Sequence, residues 1–466
     1  MDERVCICID LKSYYASVEC VARGLDPLKA RLLVADETRS DKTICLAVSP
    51  ALKAIGVPAR PRLFEAKQAV ALYDAAHHTR TRFYIAPPRM AAYERISALI
   101  FSIYLHYAAP EDIHIYSIDE AFIDCTRYLS RYRKQAASQG LSPAHVMART
   151  MIQEVLDTTG ITATVGIGTN LYLAKIAMDI VAKKAPPDED GVRIAELDER
   201  SYCELLWDHT PLTDFWGIGP GKARRLMDAG LFTMGDIAVR SLQDEESFYR
   251  SFGIDGEILI DHAWGIEPVT MEHIKGYKTN ANSLSSGQVL PRPYPFAEAR
   301  VVFREMLETL CMELFSKKLT TMALTWWVSF DSESLEVHPN YSGPVKPDFY
   351  GRLHPCHSNG TVRLRQRTNA LSAIAAPLLA SFDRKTDHAL LFRRIGICAE
   401  DVRSDNSAFQ MDLFTDEAVL EKERSLSTAM LEIRKKYGAN SLLKGLNFRD
   451  GATAIERNAQ IGGHRA

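Results

Sequence analysis

Residues 113–125 read Ile113-His114-Ile115-Tyr116-Ser117-Ile118-Asp119-Glu120-Ala121-Phe122-Ile123-Asp124-Cys125. Two strand-like runs, Ile113 to Ser117 and Ala121 to Cys125, flank Ile118-Asp119-Glu120, so the stretch forms a hairpin-like unit with two adjacent acids at its tip. Neighbouring carboxylates repel one another unless a cation bridges them, although an Asp-Glu pair taken alone favours a solvated turn. A third acid, Asp10, closes the buried strand Arg4 to Asp10. A carboxylate there is costly unless it is paired or binds a cation. Mg²⁺ takes carboxylate oxygens and commonly keeps phosphate oxygens in its remaining positions. Three acids converging on one sheet edge would hold two such ions, one activating an attacking oxygen and one stabilising a leaving oxygen.

Outward from this hairpin, strands and helices alternate. Ser13 to Ala22, Pro50 to Ile55, Arg89 to Ala108, Pro143 to Thr158 and Asn170 to Lys184 read as helices, and Thr43 to Ser49 and Ile161 to Ile167 as strands. Residues 1 to about 185 therefore form an α/β or α+β unit. The acidic stretch Ala185-Pro186-Pro187-Asp188-Glu189-Asp190-Gly191 marks a boundary, beyond which 195–265 looks entirely helical. A polar linker, 275–286, leads to a mixed unit at 287–400 with a helix at Phe296 to Phe315 and strands at Thr321 to Phe330, Val362 to Arg367 and Leu390 to Glu400. The tail, 401–466, carries one helix, Asp416 to Tyr437, and a Gly-rich end.

Composition sets the outer bounds. The 466 residues are 46% apolar and 25% charged, which excludes a disordered or fibrous chain. That length suggests about three domains. With 56 Lys+Arg against 59 Asp+Glu, the net charge of −3 argues against a uniformly basic nucleic-acid binder, but not against local basic patches. The longest mainly apolar stretch, Leu371 to Phe382, contains Pro377 and falls well short of the roughly 20 residues a bilayer requires, so no membrane association is expected. The acidic start runs directly into a strand and does not read as a signal peptide. Nine cysteines without a C-x-x-C pair imply a reducing cytoplasmic setting and no disulfides. His354, Cys356 and His357 beside Pro355 read as a surface loop rather than a metal site.

Three strings change the weight of the acids. Ile9-Asp10-Leu11-Lys12-Ser13-Tyr14-Tyr15-Ala16-Ser17-Val18-Glu19, Tyr116 to Asp124, and Thr164-Val165-Gly166-Ile167-Gly168 with Leu173-Ala174-Lys175-Ile176-Ala177 occur in this order. Together they resemble the Y-family translesion DNA polymerases, most closely the bacterial UmuC-like branch with its UV-damage-repair polymerases. The resemblance covers about residues 4 to 400. It implies a multi-domain α+β right-hand polymerase. Its palm, a ferredoxin-like sheet plus helices, would span 1–17 and 84–185. Small fingers would occupy 18–83, a helical thumb 186–274 and an α+β little finger 287–400. Asp10 and Asp119 would bridge two Mg²⁺ ions, with Mn²⁺ as a substitute, the Leu11 carbonyl as an added ligand and Glu120 at the primer 3′-hydroxyl. Tyr15 matches the steric gate against ribonucleotides, and Tyr14 lies beside it at the nucleotide. Aligned on Gly56, this chain has Pro50 and Lys53 where many members carry Tyr and Arg, so its triphosphate grip differs. Lys183 aligns with a second phosphate-binding lysine, and Lys184 fits with one residue of slippage.

Further features fit DNA as partner. Phe215 to Leu226 reads as a helix-hairpin-helix in which Gly217, Gly219 and Gly221 permit close approach to phosphate and Lys222, Arg224 and Arg225 add charge. Without DNA, the same stretch would be a Gly-rich helix cap. Between 361 and 394, seven basic residues face two acids, a local +5, and Arg363, Arg365 and Arg367 alternate as they would along one strand face. Gln410-Met411-Asp412-Leu413-Phe414 resembles the bacterial sliding-clamp-binding pentapeptide, with Gln410, Met411, Leu413 and Phe414 as anchors for the β subunit of the replicative polymerase. The expected partners are thus primer-template DNA, damaged template included, a dNTP and the clamp. Two other readings use the same residues: a UmuC-like accessory subunit that has lost catalysis, and another palm-type nucleotidyl transferase. The first would lack acids at 10, 119 or 120, and all three are present. The second would leave the hairpin, basic strand and clamp motif idle.

Overall fold

The buried run Cys6-Ile7-Cys8-Ile9 forms the middle of a five-stranded sheet in the computed structural model, which describes residues 4–278, 282–348, 350–405 and 417–466. The chain divides into two units, 1–277 with 464–466, and 278–463. The strands of the first are β1 (Cys6–Leu11), β2 (Leu32–Val34), β3 (Ala47–Val48), β4 (Tyr84–Ala86), β5 (Ile113–Ile115), β6 (Glu120–Asp124), β7 (Ala163–Gly168) and β8 (Arg193–Leu197). The main sheet has the order β5-β6-β1-β7-β8, with β1 antiparallel to both neighbours and β7 parallel to β8. A strand buried on both faces reads as a continuous apolar run, and β1 does so up to Asp10.

Two glycines of β7 fix how closely the next helix lies. A Cβ on Gly166 would sit 2.0 Å from the Ala174 carbonyl, and one on Gly168 would sit 2.3 Å from the Ala174 nitrogen. Any side chain at either position would push the helix Leu171–Ile176 off the sheet. That helix continues as a π-helix, Ala177–Ala182, where a single helix to Lys184 is expected from the sequence. The expectation that 195–265 is entirely helical fails at its start. Arg193–Leu197 is β8, because the free edge of β7 supplies pairing that outweighs the helical preference of Ala195-Glu196-Leu197. The sheet-bearing region therefore runs past the boundary expected at 185.

A smaller sheet, order β3-β2-β4, lies between β1 and β5 in the chain and carries the core Leu33, Cys45, Val48, Leu52, Leu63, Ala66 and Val70. The strand expected over Thr43 to Ser49 shrinks to Ala47–Val48, and the helix Leu63–His77 completes this core. From Glu199 onward the first unit is helical, and its core contains Tyr202, Phe215, Leu226, Ile237 and Leu259.

The second unit has strands β9 (Leu284–Tyr294), β10 (Leu319–Phe330), β11 (Val345–Pro347), β12 (Leu353–Pro355), β13 (Ser358–Thr368) and β14 (Phe392–Glu400). Its sheet runs β13-β10-β14-β9, and β11 pairs with β12. Helices Phe296–Ser316 and Leu371–Lys385 cover one face around Phe303, Trp326, Phe382 and Phe392. β9 begins inside the linker expected at 275–286, and the described residues 401–405 and 417–463 belong to this unit rather than trailing from it. Glu305, 5% exposed, accepts from Asn447 Nδ2 at 2.8 Å, from the Thr453 amide at 2.8 Å and from the Ala454 amide at 3.2 Å. A buried carboxylate needs such donors, and residues 447–454 supply them. Among the described residues, no helix is long and apolar enough to cross a membrane.

Candidate active site

Strand register brings the acids together. Asp10 is the direct partner of Glu120 across β1 and β6, and the Leu11 amide donates to the Asp119 carbonyl at 2.9 Å. Ser117 Oγ donates to Asp119 Oδ1 at 2.6 Å and steadies that side chain. The strand expected from Ala121 begins one residue earlier, so Glu120 stands on the strand itself.

Two lysines already hold two of these acids. Lys175 Nζ lies 2.6 Å from Glu120 Oε1 and 3.0 Å from Asp179 Oδ2, and Lys183 Nζ lies 2.9 Å from Asp10 Oδ2 and 2.7 Å from Asp179 Oδ1. Among the described residues, no three His, Cys, Asp or Glu side chains close around one point, because Asp10 and Glu120 turn toward these lysines. Burial pushes the Glu120 carboxyl up, and Lys175 opposes that. Burial acts against the charge of Lys183, but Asp10 and Asp179 outweigh it and raise the ammonium. Cys8 is fully buried; burial holds its thiol protonated, and it donates to Glu120 Oε1 at 3.5 Å. Lys183, not Lys184, is the one that faces the carboxylates.

A second cluster gathers cations. Lys53 Nζ donates to Ser13 Oγ at 2.9 Å, while Arg193 donates to the Lys183 carbonyl. Lys12 is pushed down to about 8, first by burial and then by the nearby charges of Arg193 and Lys53. Such crowding of cations suits a polyanion. Lys12 and Arg193 were not anticipated from the sequence: Lys12 sits inside a string read for its acid and aromatics, and Arg193 reaches the site only because β8 pairs with β7.

Tyr15 stacks on Tyr93, ring centroids 4.5 Å apart at 23°. Tyr14, expected to contact the nucleotide, is instead 2% exposed, and its hydroxyl donates to the Tyr93 carbonyl at 2.6 Å. The Tyr14 ring lies 5.6 Å from that of Tyr15, so Tyr14 packs beneath Tyr15 and ties it to Tyr93.

The other predicted sites are placed as follows. Helix Pro220–Asp228 follows a hairpin in which Gly217 has φ 85°, and Cβ atoms at Gly217, Gly219 or Gly221 would meet nothing within 4 Å. The hairpin surface is therefore open, though Lys222 pairs with Asp255 at 3.1 Å. In the second unit Arg363 and Arg365 are exposed on the uncovered sheet face, but Arg367 is bound by Asp401 and does not extend the row. Trp327, 42% exposed, and Arg394 share that face, a feature the alternation of β10 and β14 could have revealed. Gln410, Met411, Leu413 and Phe414 lie outside the described residues.

The impB/mucB/samB family model matches residues 9–179. A Bacillus subtilis protein named for UV-damage repair, UvrX, is 29% identical over 99% of this chain and 97% of its own length. DNA polymerase IV 2 of the same organism is 29% identical over 100% of this chain and 99% of its own length. In fold, the chain is similar to a Y-family DNA polymerase chimera, with a TM-score of 0.60 at 20% identity, covering 86% of this chain and 99% of that one.

Proposed function

We propose that the chain, whose residues 9–179 match the impB/mucB/samB family model, is a DNA-directed DNA polymerase of the Y family that performs error-prone translesion synthesis. The observation that carries the mechanism is the register of Asp10 against Glu120, with Asp119 tied through its carbonyl to Leu11. These are hard oxygen donors on one sheet edge, the set that suits Mg²⁺ or Mn²⁺. Asp10 and Asp119 would share two ions, the Leu11 carbonyl would add a ligand, and Glu120 would serve the ion at the primer 3′-hydroxyl. Bound there, the ions supply charge neutralisation and a more acidic hydroxyl.

The remaining tasks fall to the chain's own side chains. Lys12, Lys53, Lys183 and Arg193 bind and orient the triphosphate, a role of positioning and charge rather than covalent chemistry. Tyr15, seated on Tyr93, excludes a 2′-hydroxyl by collision. In the domain reading, the main sheet is the palm, the β3-β2-β4 sheet belongs to small fingers, and the helices from Glu199 form the thumb. The second unit is the little finger. Gly217, Gly219, Gly221 and Lys222 grip the DNA backbone, as do Arg363 and Arg365. Fingers this small close little over the nascent pair, which favours tolerance of distorted template over accuracy. Gln410, Met411, Leu413 and Phe414 tether the enzyme to the sliding clamp in the cytoplasm and supply processivity through effective concentration.

Primer extension on undamaged and abasic templates tests the reading. With Mg²⁺ the chain should incorporate dNTPs on both, and Asp119→Asn should lower kcat by about a hundredfold or more. No incorporation with either metal, or full activity in Asp119→Asn, would sink it.

A further inference from the structure

Lys175, Asp179 and Lys183 stand four residues apart along one helix, and Asp179 gives one oxygen to each lysine: Oδ2 to Lys175 at 3.0 Å and Oδ1 to Lys183 at 2.7 Å. Four residues overshoot one α-turn and undershoot one π-turn, so the change to π-helix at Ala177–Ala182 brings Lys183 back toward the side of Lys175. Each lysine also contacts a different acid of the active site, Lys175 at Glu120 and Lys183 at Asp10. The oxygens that hold the lysines, Glu120 Oε1 and Asp10 Oδ2, belong to carboxylates for which a divalent cation would compete. A cation that Asp10 and Glu120 share with Asp119 competes with both ammonium groups for these carboxylates. Lys175 is 7% exposed, so losing Glu120 would leave its charge buried and short of a partner, which is costly. Asp179 offers them a partner they already touch.

We propose that Asp179 is a positioning residue that retains Lys175 and Lys183 when a divalent cation claims Glu120 and Asp10, so that this exchange sets the affinity of the site for metal. The inference rests on the metal-binding role of Asp10, Asp119 and Glu120 given above. It assigns Asp179 no contact with metal or substrate. The released Lys183 then stands beside Lys12, Lys53 and Arg193, where its charge serves the triphosphate; metal entry and triphosphate binding favour one another.

Mn²⁺ titration of the full chain, followed by electron paramagnetic resonance without DNA or dNTP, tests the exchange apart from catalysis. Asp179→Asn should weaken Mn²⁺ binding about fivefold, the size of about one partly exposed ion pair, and Lys183→Met should tighten it. A plain loss of negative charge would also weaken binding in Asp179→Asn, so the double-mutant cycle decides. The effect of Asp179→Asn should shrink in a Lys183→Met background and vanish when Lys175→Met is added. If the loss is the same in all backgrounds, or if Asp179→Asn alone binds Mn²⁺ as tightly as the unaltered chain, the exchange is overturned. Asp119→Asn is the control for the underlying reading. If it too leaves Mn²⁺ binding unchanged, the metal site itself is misplaced and the exchange falls with it. If it abolishes binding while the cycle shows no coupling, only the exchange is wrong. Should Lys175→Met fail to fold, the half-exposed Lys183 still gives a complete cycle with Asp179.

Discussion

Glu19 has no exposed surface and is held by three side chains. Arg89 donates to it at 2.8 and 3.1 Å, Tyr93 donates its hydroxyl at 2.9 Å, and Arg23 closes a salt bridge. Burial acts against its charge, but these donors outweigh it and hold the carboxyl below its ordinary 4.5. A depressed carboxylate stabilises the fold fully above the unfolded value and loses that contribution as pH falls through the folded one. Glu19→Gln should therefore lower the melting temperature at pH 7, by about 1–3 kcal/mol of stability, and flatten its decline in acid; calorimetry across pH 3 to 7 reads both. Because Tyr93 carries Tyr15, the same network steadies the proposed sugar gate. Tyr15→Ala should raise ribonucleotide incorporation at least about tenfold in single-nucleotide assays, and an unchanged ratio would remove Tyr15 from that role. The meeting of Asp10, Asp119 and Glu120 at one sheet edge was legible because each sits in a short string that carries its own strand pattern. Tyr93, Asp179 and Arg193 were not, since only the packing of distant elements brings them to the site. The burial of Tyr14 was hidden for a related reason: which of two adjacent helical tyrosines is covered depends on what packs on the helix.

At the scale of elements, alternation was the most dependable signal and helix continuity the least. The hairpin acids and the basic strand both follow from period two, and the structure places Arg363 and Arg365 on one open face. Arg367 leaves the row because Asp401 folds back onto it. Exposed arginines that track phosphate release counterions, so Arg363→Ala with Arg365→Ala should weaken DNA binding and reduce the slope of log affinity against log salt by about two. Fluorescence anisotropy between low and moderate salt measures that slope, and an unchanged one would take this face off the DNA path. β8 and the π-helix were beyond reach of local pattern. Arg193–Leu197 becomes a strand only because β7 presents an edge, and an added residue in a helix announces itself only through what it aligns.

Over the whole chain, the second unit was legible as a mixed sheet and helix domain, but its closing segment was not. Asn447 reads as an ordinary polar residue until Glu305 is seen beneath it. Asn447→Ala should cost about 1–3 kcal/mol by leaving a buried carboxylate short of a donor, measured as a lower urea midpoint for the second unit while β1 to β8 keep their hydrogen-exchange protection. Equal loss in both units would refute a contribution confined to this core. The latch also imposes an order in time. Glu305 and Asn447 are 142 residues apart, and at the pace of a translating ribosome the carboxylate waits on the order of ten seconds for its donor. Through that interval the helix Phe296–Ser316 can pack against its sheet but must keep Glu305 hydrated. Synthesis of the β13-β10-β14-β9 sheet therefore does not finish this domain; its core becomes dry only when residues 447–454 arrive.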